Sequence, residues 1–490
     1  MSRIRFTAAT TVSALSLALA GCMGGGEIPS ASAPITQNEA QQGAKAHPQL
    51  LAEFGGAMSG SQAQYVEQVG KNIAVQSGLG NARDSFTVSL LNSPVNNAFA
   101  IPGGYIYTTR QLVALMNNEA ELAGVLGHEV GHVAARHSQR RQAKAQQNQL
   151  LGVLGAVVGA VVGGGIGQQL GQAAMQGSQL LTLKFSRSQE LEADELGIRY
   201  LNSAGYDPRA MATVLQSLAL QNALDARVQG RDNARIPEWA STHPDPASRV
   251  QTALQKAQAS GATGGVTNRD TFLTRIDGIT YGDDPAQGVV EGRQFIHPEL
   301  RLAFTAPQGF YMVNGTRAVT INGQSGQAQF TLAQYNGDLG SYVTSVFAGL
   351  SQQQQIRPQS VQRTTVNGLP AAYGTARVNN GNSQVDVTVF AYEFAKDRAY
   401  HFLAITPAGK ASTFNQMFSS MRRIDSQTAA GVIPRVIDVV TVRSGDTVSS
   451  LASRMAYSDN QVERFRVLNG LTSNETVSAG QKVKIVVRGR

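Results

Sequence analysis

His128 and His132 stand four residues apart, with Glu129 directly after the first, in the stretch LAGVLGHEVGHVAARH (122–137). On a helix, positions i and i+4 share a face about 6 Å apart along the axis, so both imidazoles can reach one ion. Two histidine nitrogens and one further protein donor suit zinc, which in catalytic sites keeps a position open to water. Glu129, one residue round the helix, is placed to take a proton there. With 7 histidines in 490 residues, a chance His-Glu-x-x-His has a probability of roughly one percent or less. The competing reading is a solvated helix with incidental histidines, and LAGVLGHEVGHVA is too apolar for a solvated face.

A third donor has to come from another element, and SRSQELEADELG (186–197) offers one. Glu190 and Asp194 lie one helical turn apart, so Glu190 can bind the metal while Asp194 accepts a hydrogen bond from the outer nitrogen of a ligand histidine. Glu192 competes for that task. Two residues from Glu190 it points to another face, and four residues beyond it stands Leu196, which cannot be the acidic partner. His137, five residues past His132, turns away from the metal face of a continuing helix.

The elements that must position these groups follow from periodicity. AQYVEQVGKNIAVQSGL (63–79) has helical apolar spacing, and residues 86–116 read as strand, turn, strand and helix, punctuated by Asn96-Asn97 and Gly103-Gly104. The helix carrying Glu190 ends at a Gly205 cap signal, before a further helix in YDPRAMATVLQSL and a proline-broken loop, WASTHPDPASRV, that leads into the last helix. Between the two metal-bearing segments, residues 150–167 are apolar enough to suggest a membrane span. Gly155, Gly159 and Gly163 weaken an isolated helix there and favour a buried or site-covering hairpin instead.

The chain's 490 residues exceed one ordinary core, and 42% hydrophobic with 15% charged residues suits folded domains joined by linkers. The net charge of +8 suits an anionic envelope, and with no Lys/Arg run to single out nucleic acid, none is expected as a partner. Arg3 and Arg5 precede an apolar run, and LAGC (19–22) places small residues before the one cysteine. That tetrapeptide resembles the lipobox of bacterial lipoproteins. The resemblance implies a signal peptide at 1–21, lipidation of Cys22, and a membrane anchor. Met23 after the cysteine, by analogy with lipoprotein sorting, implies the outer membrane facing the periplasm. Residues 22–45 read as a flexible tether.

Residues 46–256 resemble the M48 family of zinc metallopeptidases, through HEVGHVAARH, SRSQELEADELG, NAFAIPGGYIYTT and STHPDPASRV. The resemblance implies a mainly α-helical, gluzincin-type domain with a small β element and one zinc per chain. By it His128, His132 and Glu190 are ligands, Glu129 is the general base and Asp194 supports a ligand histidine. In periplasmic members the histidine matching His243 can fill the open metal position and hold the enzyme latent. The competing reading of His243 is a capping or packing residue ahead of Pro244. Arg249 is a candidate donor to an oxyanion, and the NNAFA strand a candidate edge for an extended peptide. The membrane-embedded branches of the family match less well, and no 34-residue helical repeat follows.

Residues 257–270 read as a linker. Residues 271–425 read as an α+β antiparallel-sheet domain, with strands in SQVDVTVFAYEF and AYHFLAITP. Residues 426–437 read as a second linker. Residues 438–490 resemble a LysM domain of βααβ form, through VRSGDTVSSLASRM, RVLNGL and VSAGQKVKIV, which implies peptidoglycan as a partner. Its Lys482, Lys484, Arg488 and Arg490 are expected to add attraction to the envelope. The function expected is that of a lipid-anchored periplasmic zinc endopeptidase acting on misfolded or unassembled envelope proteins. A non-proteolytic scaffold or chaperone with a structural zinc is the alternative, and Glu129, which a structural zinc does not need, favours the enzyme. Cys22→Ser is expected to leave the precursor unprocessed and unlipidated, and normal lipid labelling of that variant would contradict the anchor.

Overall fold

The computed structural model describes residues 33–80, 83–141, 185–228, 243, 246–261, 264–350, 356–380 and 383–489. Cys22 and the glycine-rich stretch 150–167 lie outside the described residues. Among those described, no helix is long and apolar enough to cross a membrane.

The metal-bearing half begins with helices α1 (Gln37–Glu53) and α2 (Ser61–Ala74). A three-stranded sheet follows, made of β1 (Thr87–Leu91), β2 (Ala98–Ile101) and β3 (Tyr105–Thr109). Then come α3 (Arg110–Leu115), α4 (Glu119–Ala134), α5 (Arg187–Ser203), α6 (Ala210–Val228) and α7 (Pro246–Ala259). In the sheet β3 is central, parallel to β1 and antiparallel to β2, which leaves β2 on the edge. Helix α4 is buried on nearly every side, as its apolar sequence requires.

Helix α1 starts inside the stretch expected to be a tether. Thr36 and Glu39 form a reciprocal capping box, and Glu39 also receives Arg136, so the helix is nucleated and tied to the metal half. A Cβ on Gly43 would lie 2.3 Å from the Pro102 carbonyl, so only glycine lets α1 rest on the turn between β2 and β3.

The linker expected at 257–270 is docked rather than free. Asp207 N–H donates to the Val266 carbonyl, and Glu119 and Ala120 N–H donate to the Thr267 carbonyl at the first turn of α4. Helix α8 (Arg269–Ile276) and Ile279 then join the same apolar core as α2, α4 and α6. The sheet-rich domain therefore begins past the expected residue 271. Its seven-stranded antiparallel sheet is covered on one face by the helix Leu339–Ala348 and on the other by a four-stranded sheet.

This domain is an insertion. The strand β4 (Thr280–Tyr281) before it pairs antiparallel with the strand Arg435–Thr441 after it. Part of the linker expected at 426–437 is likewise structured, as the helix Ser426–Ala430 and the start of that strand. Two helices, Val448–Ala452 and Gln461–Leu468, and a returning strand, Lys482–Arg488, complete the C-terminal module. Leu451, Phe465, Val483 and Ile485 of this module belong to the same core as Leu126 and Leu215 of the metal-bearing half.

Of the basic residues expected to face the envelope, Arg490 lies outside the described residues and the others are engaged: Lys482 Nζ lies 3.1 Å from Thr274 Oγ1. Arg488 pairs with Glu291 of the insertion, and Lys484 is fully buried. Lys484 Nζ donates to the carbonyls of Ala114 (2.7 Å), Leu115 (3.1 Å) and Met116 (2.5 Å), at the C-terminal end of α3. Burial draws Lys484 below the usual lysine range, while buried Glu121 on α4 opposes that shift. Replacing it by methionine removes a buried cation whose field favours ionised Glu121 and leaves those carbonyls without their donor. Lys484→Met is expected to cost roughly 3–5 kcal/mol in urea unfolding of the intact chain; an unchanged midpoint would show that the buried ammonium does not hold the module in place.

Candidate metal centre

The site lies where α4 crosses α5. A Cβ on Gly131 would sit 3.1 Å from the Ala193 carbonyl, and one on Gly197 would sit 3.1 Å from the His128 nitrogen. Small residues four apart on each helix thus form a seam that lets the backbones approach closely. The ligand candidates flank that seam. At the start of α4, Asn118 caps the helix, and Glu119 accepts from Tyr65, Tyr206 and Asn268, so the entry of the metal helix is fixed by buried bonds.

His128 Nε2 and His132 Nε2 are 3.0 Å apart, and Glu190 places its two oxygens 3.6 Å from the first and 3.5 Å from the second. A tetrahedral ion with bonds of about 2.0–2.1 Å has edges near 3.3 Å, so the three donors match one face of such a shell. His243 Nδ1 adds a fourth, 3.3 Å from His128 Nε2 and 3.1 Å from Glu190 Oε1, and the four residues' candidate ligand atoms lie within 4.8 Å of one another. All four are buried.

Charge makes the same case for a cation. Glu129, Glu190 and Asp194 are buried beside one guanidinium, Arg249. When all are ionised and the imidazoles neutral, two negative charges stand uncompensated in a dry pocket, which suits a divalent ion. Burial opposes ionisation of Glu190, yet His243 and His128 hold its carboxyl far below the ordinary range. Burial likewise works against a charged His128, but bonds from Asp194 and Glu190 raise it to about 9. For His132 burial wins, and its pKa falls well below the usual histidine value.

Glu129 lies 1% exposed, and its Oε1 makes no hydrogen bond but stands 3.4 Å from His243 Nε2. Burial raises its pKa, with His243 and His128 opposing. A buried carboxylate with one oxygen outside any hydrogen bond, beside a set of metal donors, is disposed to hold a proton in transit.

Asp194 Oδ1 lies 2.8 Å from His128 Nδ1, which leaves Nε2 to face the other donors. Arg249, the candidate oxyanion donor, faces two carboxylates. Its Nε and Nη2 donate to Asp194 and its Nη1 to Glu190, so each of its three nitrogens is committed to a carboxylate. Its work is to neutralise and orient that pair.

Sequence reasoning passed over three groups around His132. Phe185 stacks on its ring at 3.8 Å between centroids. His137 Nδ1 is 2.8 Å from His132 Nδ1, and Glu192 in turn contacts His137. The helical projection that turns His137 away fails because α4 ends at Ala134, and Arg136 takes the left-handed conformation at φ 50°, bringing the chain back. Glu192 stays outside the donor set, as expected, but it reaches His137.

Residues 60–257 match the family model described as peptidase family M48, and residues 440–486 match the LysM domain. Over 226 residues the chain is 34% identical to the beta-barrel assembly-enhancing protease of Yersinia pestis, covering 45% of this chain and 44% of that protein. The protein of the same name from Escherichia coli (strain K12) is 32% identical over 215 residues, covering 43% of this chain and 42% of its own. The mitochondrial metalloendopeptidase OMA1 of Arabidopsis thaliana is 34% identical over 171 residues, covering 35% and 31%. The chain thus spans less than half the length of each of these relatives.

The charge balance generates a test. Arg249→Met leaves Glu190 and Asp194 without their cation, and the metal-free protein is expected to lose roughly 3–5 kcal/mol. Added zinc should restore part of that loss, because the ion supplies positive charge to the same carboxylates. Melting temperatures of the variant with and without zinc check both statements.

Proposed function

Because the chain carries a peptidase family M48 domain ahead of a C-terminal LysM domain, we propose that it is a zinc-dependent endopeptidase of the bacterial envelope. The observation that carries this reading is the juxtaposition of two imidazoles and a carboxylate at tetrahedral spacing with the buried carboxylate of Glu129, whose Oε1 makes no hydrogen bond. His128, His132 and Glu190 would hold the zinc, whose Lewis acidity would polarise a scissile carbonyl and make water acidic enough to serve near neutral pH. Glu129 Oε accepts the proton from the attacking water and returns it to the leaving amine. Asp194 and Arg249 keep His128 and Glu190 oriented while this happens. The β2 edge offers unpaired backbone groups to an extended peptide, which suits unfolded clients. A structural metal has no use for Glu129, and this weighs against the scaffold reading.

His243 stands among the donors, and we read it as a fourth ligand at rest that substrate must displace. The clients proposed are misfolded or unassembled envelope proteins, a reading prompted by the names of the bacterial relatives. Cys22 would anchor the chain by its lipid to the outer membrane, facing the periplasm. The LysM domain would hold it near peptidoglycan. Its loops 443–445 and 472–476 are exposed and leave that side open to a glycan.

Glu129→Gln in the purified full chain is expected to keep zinc and the fold while lowering hydrolysis of an unfolded protein or quenched peptide by about 10²–10⁴-fold. Turnover equal to the wild type at equal zinc content would overturn the enzyme reading.

A further inference from the structure

The two imidazoles of the candidate centre are supported unequally. His128 leans directly on a buried carboxylate, Asp194, which is itself held by buried Arg249. His132 Nδ1 instead meets another imidazole, His137 Nδ1, at 2.8 Å, and His137 is fully buried. His137 Nε2 lies 3.1 Å from Glu192 Oε2, whose side chain is 43% exposed and pairs with Arg140 at 3.2 Å. A continuous path therefore runs from the metal face of His132 to a surface ion pair.

We propose that His137 is a positioning residue for His132, and that Glu192 completes the support from the surface. This rests on the reading of His132 as a metal ligand. Proton placement along the path then follows without freedom. A ligating Nε2 must be bare, so the proton of neutral His132 sits on Nδ1 and is donated. His137 Nδ1 must accept it, so the proton of His137 sits on Nε2 and is donated to the Glu192 carboxylate. The opposite tautomer of His137 would set two N–H groups against each other at the 2.8 Å separation.

The relay also answers an electrostatic problem. A carboxylate directly behind His132 would add a third uncompensated negative charge to the pocket. A neutral imidazole transmits the hydrogen bond and leaves the charge at Glu192, where water and Arg140 screen it. The backbone is bent to achieve this: Arg136, at φ 50°, returns His137 beneath His132, and its guanidinium is held by Glu39 and the Ala33 carbonyl. Phe185 fixes the plane of the His132 ring but provides no acceptor for its proton.

The test uses the full chain with His137→Phe, His137→Asn and Glu192→Gln. It reads zinc affinity by chelator competition and the visible spectrum of the cobalt-substituted protein. His137→Phe should weaken zinc by about 10–100-fold and shift the cobalt bands, since His132 loses its acceptor. His137→Asn sets an amide oxygen near the former Nδ1 and should recover most of that loss. Glu192→Gln should give a smaller loss, and none when added to His137→Phe, because the path is already cut. Zinc affinity of folded His137→Phe within about twofold of wild type and an unchanged spectrum, or an asparagine variant as weak as the phenylalanine one, would overturn the proposal. If His137→Phe does not fold, wild-type affinity and spectrum in Glu192→Gln would overturn it equally. A wild-type chain that takes up no zinc, or a Glu190→Gln variant that binds it undiminished, would overturn the metal reading itself and is distinguishable on that ground.

Discussion

The close approach of α4 and α5 is the constraint on which the centre depends. Glu190 has to bring its carboxylate within about a tetrahedral edge of two imidazoles on another helix, and ordinary side chains between the backbones would hold it away. Gly127 and Gly131 on one helix, facing Ala193 and Gly197 on the other, remove that obstacle. Glycine inside a helix costs about 0.5–1 kcal/mol relative to alanine, so the seam is unfavourable locally and is maintained by the burial around it. Leu126, Val130, Ile198 and Leu201 provide that burial on the flanks.

A second constraint is the entry of α4, where parts distant in sequence converge. Thr267 accepts from its first turn, Tyr65 and Tyr206 hold Glu119, and Lys484 of the C-terminal module caps α3 immediately before it. Domain deletion intuitions drawn from sequence fail at this point. The module at residues 438–490 reads as an independent unit, yet it shares a core with the metal-bearing half, and the sheet domain is inserted between them. Residues that look like linkers in composition serve as caps and bridges because backbone groups at helix ends must find partners.

What is legible in the sequence is what a single helix dictates. His128, Glu129 and His132 are fixed by one helical turn, and Glu190 with Asp194 by another. The structure brings both sets together with the sides of the helices that periodicity assigns. The illegible part depends on where helices stop and on contacts across modules. His137 is misplaced by extrapolating α4 past Ala134, and spacing alone does not give the carboxylates that Arg249 meets. Lys484 looks solvent-bound because it is a charged residue two places from Lys482, and only the shared core reveals it as buried. The glycine seam is visible as residues but not as a seam, since its meaning requires both helices at once.

The pocket's electrostatics tie these observations into one design. Three carboxylates, one guanidinium and the imidazoles are enclosed together, so with the imidazoles in the neutral form that ligation requires the site's desolvation is incompletely repaid by its own groups. An ion that completes the charge is then also a contributor to folding, because binding is confined to the assembled arrangement. Such a site gains from rigid ligands, since a loose pocket would relieve its repulsion by moving apart rather than by binding. The capped entry of α4, the seam against α5 and the buried Arg249 all oppose that relaxation. Glu129 Oε1 makes no hydrogen bond and faces His243 Nε2 at 3.4 Å, so in this pocket the carboxylate that its neighbours hold least tightly is the one whose chemistry requires it to gain and lose a proton.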